Sequence, residues 1–276
     1  MMAISTRCLL VAIALAGPFG AQAATPPAPV TPPAVGQLIE RNVAARGGLD
    51  AWRRIRTMAW SGRLEAASAE PASMRFVLEQ ARPNRTRFAI EAMGQPGVRV
   101  FDGAHGWTQR PSRGIRPDVV PFTPQELRFA QDAEVIDGPL IDFAAHGSRV
   151  TLGGLEDVHG RQAWRIDVTR PSGTREAVWI DAETFLDVRY DRVSYRPAGG
   201  AVTVSLYYQD YRSYEGVKVP AVIDIGGNGD TPAGRMVIEQ VVLNPQLDER
   251  AFAEPGTLRR RQAADPGSHP PSVVAQ

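Results

Sequence analysis

Two periodicities divide the chain. Val35, Leu38, Ile39 and Val43 recur at intervals of three and four, the spacing of one helical face, and Gly47-Gly48 stops the run. Leu49, Trp52 and Ile55 add a second short helical turn. After Thr57 the period drops to two. Met58, Trp60 and Leu64 alternate with Ser61, Arg63 and Glu65. Phe76 and Leu78 alternate with Arg75, Val77 and Glu79, and Phe88 and Ile90 with Arg87, Ala89 and Glu91. Each run predicts a strand with one dry and one wet face. Pro83-Asn84 and Asp102-Gly103 fall between runs, where turns are needed.

The alternation breaks after Trp107, and Arg110 to Pro121 is rich in Pro, Arg and Gly. Thr123-Pro124-Gln125-Glu126 then spells a capping box with proline at the first helical position. Leu127, Phe129 and Ala130 make the helix that follows amphipathic. A further helical piece is predicted from Pro139 to Ala145, stopped by Gly147. From Val150 strands return: Trp164, Ile166 and Val168, then Val178 and Ile180, then Leu186, Val188 and Tyr190. Val202 to Tyr208, Val219 to Ile225 and Met236 to Val242 complete the set, and no repeat of fixed period is present.

About eleven strands in sequential hairpins make one antiparallel sheet, a mainly β fold with a few short helices. The helices are too few to cover so wide a sheet if it lies flat. The sheet must curl, into a closed barrel or into a half-barrel capped by helices. Large side chains on the dry face, Trp60, Phe76, Phe88 and Trp164, then either line a cavity or fill a core. Alternation alone does not choose between the two.

The N-terminus changes the picture of where this fold resides. Arg7 precedes an apolar stretch from Cys8 to Ala16, followed by Gly17-Pro18 and the small-residue site Ala21-Gln22-Ala23. This is the order of a secretory signal peptide, residues 1–23. About 10 apolar residues cannot cross a bilayer that needs roughly 20, so no stable membrane insertion is expected. Cys8, the sole cysteine, leaves with the leader, and the mature chain then has no disulfide, thiolate nucleophile or cysteine metal site. Residues 24–33 form a Pro/Ala-rich spacer, 34–256 the folded domain and 257–276 a disordered tail containing Arg259 to Arg261.

A formal net charge of +1 offers no basic field for nucleic acid. Catalytic patterns are equally scarce. His105, His146 and His159 are scattered without metal-ligand spacing, and no Gly-x-Ser-x-Gly elbow or phosphate-binding glycine loop occurs. Asp181 and Glu183 occupy a turn, where solvated acids are routine. The expectation is a protein without enzymatic activity, metal or cofactor, with a hydrolase of unrecognised site as the remote alternative.

Arg82-Pro83-Asn84 between two strands, then Phe101-Asp102-Gly103 and Gly106-Trp107, and finally Asn244-Pro245 and Phe252 to Gly256, resemble the LolA/LolB superfamily of periplasmic lipoprotein carriers. The helix ending Ala44-Ala45-Arg46-Gly47-Gly48, with Ala51-Trp52 behind it, is similar to the opening of its lipoprotein-sorting members. The likeness runs from about Val35 to Gly256, while the segment around Arg110 to Asp118 and the basic tail depart from the minimal carrier. The resemblance implies an eleven-stranded half-barrel with a helical lid over an apolar cavity for acyl chains. Trp60, Phe76, Leu78, Phe88, Ile90, Trp107, Trp164, Ile166 and Leu206 would line it, with Leu127 and Phe129 in the lid. Arg82 would be the latch, donating to lid carbonyls through its rigid fork. The implied protein is a monomeric periplasmic carrier for lipid or lipoprotein acyl chains, passing cargo between envelope donor and acceptor proteins. A periplasmic sensor contacting an envelope protein on the same scaffold is the alternative.

Overall fold

The computed structural model describes residues 33–66, 73–92, 95–110, 118–132, 136–195, 200–226 and 232–256. The expected signal peptide, most of the expected spacer and the tail from 257 onward lie outside them. The helical spacing yields α1 (Val35–Ala45) and α2 (Leu49–Arg53). Between them Gly47 takes φ 114°, and a Cβ there would sit 2.2 Å from the Gly216 carbonyl oxygen, so only glycine lets the helix end dock on the sheet.

The alternating runs become β1 (Thr57–Ala66), β2 (Ser73–Ala81), β3 (Arg85–Ala92), β4 (Gln95–Phe101) and β5 (Gly106–Arg110). A short β6 (Asp118–Pro121) follows, then α3 (Pro124–Asp132). The second half comprises β7 (Arg149–Val158), β8 (Arg161–Thr169), β9 (Arg175–Asp181), β10 (Asp187–Tyr195), β11 (Ala201–Tyr214), β12 (Val217–Gly226) and β13 (Pro232–Leu243). The strand order is β6-β5-β4-β3-β2-β1-β13-β12-β11-β10-β9-β8-β7, one open antiparallel sheet of 13 strands rather than about eleven. Part of the excess is β6, which lies in the Pro- and Arg-rich stretch read as a break.

Two consecutive meanders meet where β1 pairs with β13, Met58 opposite Leu243. A bulge there brings Gly62 against the Val237 backbone, where a Cβ would lie 2.0 Å from the carbonyl oxygen. The edge strands β6 and β7 are neighbours in sequence, so residues 122–148 must cross the sheet from one edge to the other. That crossing carries α3. The piece from Pro139 to Ala145 is not a helix but a run of turns, because Asp142 adopts φ 52° and binds Arg53 through two hydrogen bonds of 2.7 Å.

The curl follows from distances. Arg99 on β4 and Arg192 on β10 are seven strand spacings apart, roughly 34 Å along a flat sheet. Yet α3 touches both: Glu126 receives Arg99 at 3.0 Å, and the Phe129 ring lies 5.8 Å from the Arg192 guanidinium. Residues 126 and 129 are only about 4.5 Å apart along the helix. The sheet therefore rolls until its two arms approach one another beneath α3.

Candidate functional site

The inner face of the rolled sheet holds two apolar clusters. Under α1, Leu38 and Ile39 pack with Leu140, Ile166, Val168, Val178 and Ile180, all buried. This half is sealed. Toward β1, a second cluster joins Trp52, Ile55, Met58, Phe76, Ile136 and Ile141 to Val217, Val219 and Ile238. Around it lie Trp60, Leu64, Leu78, Phe88, Ile90, Leu206 and Met236, which remain half-buried.

The sequence-predicted lining residues divide accordingly. Trp60 faces Leu78, Leu78 faces Phe88 and Phe76 faces Ile90, so these five share the inner face. Phe76 is buried, its ring 5.9 Å from that of Phe88. Leu206 joins them from β11. Ile166, at 0 % exposure, belongs to the sealed core beneath α1, and Trp164 packs against that same cluster. Trp107 is a correction. It pairs with Val100 on the outer face and packs with Val98 and Phe252, where the C-terminal turn Glu249–Phe252 covers it. At this arm the outer face is the apolar one, and Arg99 and Thr108 face inward.

Leu127 and Phe129 lie on α3, as expected, and are half-buried; no residue of this helix is buried. Its capping box forms: Thr123 N–H donates to Glu126 at 2.9 Å, and Glu126 N–H donates to the Thr123 hydroxyl at 3.3 Å. Burial alone would raise the Glu126 carboxyl, but hydrogen bonds from Thr123 and Arg99 hold it below its ordinary value. At the other end Asn84 donates to the Gln131 carbonyl at 3.3 Å, and Asp132 accepts from Ser172 and from Thr174.

Arg82 is tied to backbone carbonyls of α2 and its exit, not to those of α3. Its Nε donates to Ile55 O at 2.6 Å and Nη2 to Trp52 O at 3.1 Å. Its fork also grips the Asp137 carboxylate, with Nη1 at 2.6 Å. Asp137 is 4 % exposed and sits on the crossing segment. Sequence reasoning missed it, as it missed the network beyond. Arg46 donates to Asp137 O at 3.1 Å, stacks 4.5 Å over Trp52 and lies 3.4 Å from Asp187. Asn42 donates to Asp187 at 2.8 Å. Burial pushes the Asp187 carboxyl up, and Arg46 with Asn42 only partly offsets this.

A separate apolar recess of about 420 Å³ lies between α1, the start of α2 and the turns at 140–145. Ile39, Val43, Leu49, Leu140 and Phe143 line it, with Glu40 and Asp142 as the acidic members. The titratable candidates are occupied elsewhere: Asp181 accepts from Glu183 and Thr184 within its turn, and His159 stacks on Tyr207 at 4.5 Å. Among the described residues no three His, Cys, Asp or Glu converge on a metal position.

The open antiparallel half-barrel with helices over its inner face is a fold shared with solved LolA-like structures. Two solved structures carry the likeness. A LolA superfamily protein from Nitrosomonas europaea is 13% identical with a TM-score of 0.50, covering 80% of this chain and 98% of that one. An outer membrane lipoprotein-sorting protein domain from Vibrio parahaemolyticus is 12% identical with a TM-score of 0.50, covering 78% and 94%. No family model matches the chain, and no curated protein does.

Proposed function

We propose that the protein is exported to the periplasm and carries the acyl chain of a lipid or lipoprotein against the inner face of its half-barrel, without catalysis. The observation that carries this reading is the half-buried apolar band of Trp60, Leu64, Leu78, Phe88, Ile90, Leu206 and Met236, which α1 and α2 leave unsealed and which lies in the half of the sheet that α3 roofs. Each methylene laid on such a surface gains about 0.8 kcal/mol, enough for reversible binding by a long chain without any covalent step. The shared fold of the lipoprotein-sorting domain supports the same role. Arg82 and Asp137 keep the plug in place while cargo enters on the α3 side, and Leu127 and Phe129 close over it. The mature chain is expected to bind a fluorescent fatty acid saturably, and Leu78→Asp to abolish the signal while retaining the fold by circular dichroism. A mature chain that binds no acyl probe refutes the proposal.

A further inference from the structure

The apolar band ends at an arginine. By register Tyr190 lies beside Leu206, Leu206 beside Ile225, Ile225 beside Gly234 and Gly234 beside Ala66. A second row runs Tyr208, Ile223, Met236, Leu64 and Met74. All of these except Ile223 are half-buried. Arg192, two residues beyond Tyr190 and opposite Val204, shares the inner face at the β10 end of the band.

Its Nε is buried and has no hydrogen-bond partner. No carboxylate among the described residues lies within ion-pair distance of it. Glu176 stands nearby on β9, one step past the Asp191–Ala177 pair, but it accepts from Arg170 at 2.8 Å. Among the described residues Arg192 therefore has no ion-pair partner, and the Phe129 ring of α3 lies 5.8 Å from its guanidinium. Trp60 Nε1, buried on the same face, is a second donor without an acceptor. Guanidinium and indole nitrogens can only donate. What completes this interior is an acceptor-only group carrying negative charge, attached to an apolar body.

We propose that the ligand is a single-chain amphiphile with an anionic head, a carboxylate or a phosphate. The head sits at Arg192 beneath Phe129, and the tail lies along Leu206, Ile225, Met236 and Leu64. The proposal rests on the acyl-carrier reading and narrows it.

Displacement of a fluorescent fatty acid from the purified mature chain by palmitate, hexadecyl phosphate and methyl palmitate tests it. Both anions are expected to compete about ten- to a hundredfold better than the neutral ester, the ratio that a charge-assisted hydrogen bond produces. The stronger of the two identifies the head. Arg192→Met should erase the preference while methyl palmitate still binds, and Arg192→Lys should keep most of it. Should Arg192→Met not fold, the selectivity of the unaltered protein decides alone. Equal competition by all three overturns this inference and leaves the carrier reading intact, whereas binding of none overturns both.

Discussion

α1 and α3 both lie over the inner face of one sheet, yet they are held by different forces. α1 drives Leu38 and Ile39 into a core where Ile166 and Ile180 are fully buried, and its far end is pinned by Arg46, Asn42 and Asp187. α3 buries none of its residues and is fastened by polar contacts near its ends: Glu126 to Arg99, and Asp132 to Ser172 and Thr174. Apolar burial is costly to undo, whereas exposed hydrogen bonds exchange with water at little net cost. One cover is built as a plug and the other as a lid.

The largest expected effect falls on the plug. Arg82→Ala strands the buried Asp137 carboxylate and should cost about 3–5 kcal/mol in denaturant unfolding. A loss below about 1 kcal/mol would mean the pair contributes no more than a surface contact. Leu38→Ala should cost about 2–5 kcal/mol, and Leu127→Ala on α3 about 1 kcal/mol or less. Equal losses at the two sites would erase the distinction between plug and lid.

Acid should separate the covers further. The Glu126 carboxyl is held low, so its contribution is present above 4.5 and is lost as pH falls through its depressed value. Asp187 is raised, so through this group acidification toward 3.8 favours the native state, which takes up a proton the unfolded chain does not. Amide protection in α3, corrected for intrinsic exchange, should therefore fall at low pH before that in α1. Glu126→Gln, which keeps the cap but loses the ion pair, should weaken α3 by about 0.2–1 kcal/mol and remove this pH dependence. The smallest effect concerns the recess beside α1: Ala44→Trp fills it and should leave acyl affinity within about twofold. A larger loss would place the cargo under the plug instead of under the lid.

How legible this was depended on the range of each interaction. The period of 3.6 in Leu38 and Ile39 and the period of two in Phe76 and Leu78 are local patterns, and both α1 and the strands followed from them. The four residues of β6 are too few to alternate visibly. Asp142 escaped because a positive φ depends on its pairing with Arg53, 89 positions away. Trp107 lies on the outer face because at this arm Val98 and Val100 make the outer side of β4 the apolar one, while Gly97 and Arg99 face inward. Arg82 was found through a turn motif. Its partner Asp137, 55 residues on, carries no local signature, and the unpartnered Nε of Arg192 emerges only from the packing around it.

The seam between β1 and β13 has a kinetic consequence. Every other strand pair joins neighbours in sequence, so each meander can form hairpin by hairpin from contacts close along the chain. The seam joins positions 58 and 243, and closing it carries the entropy of nearly the whole domain. The last strand must be present before the two arms become a single sheet. A chain made N-terminus first holds its inner face open until β13 arrives, so the apolar cluster around Met58 is completed last.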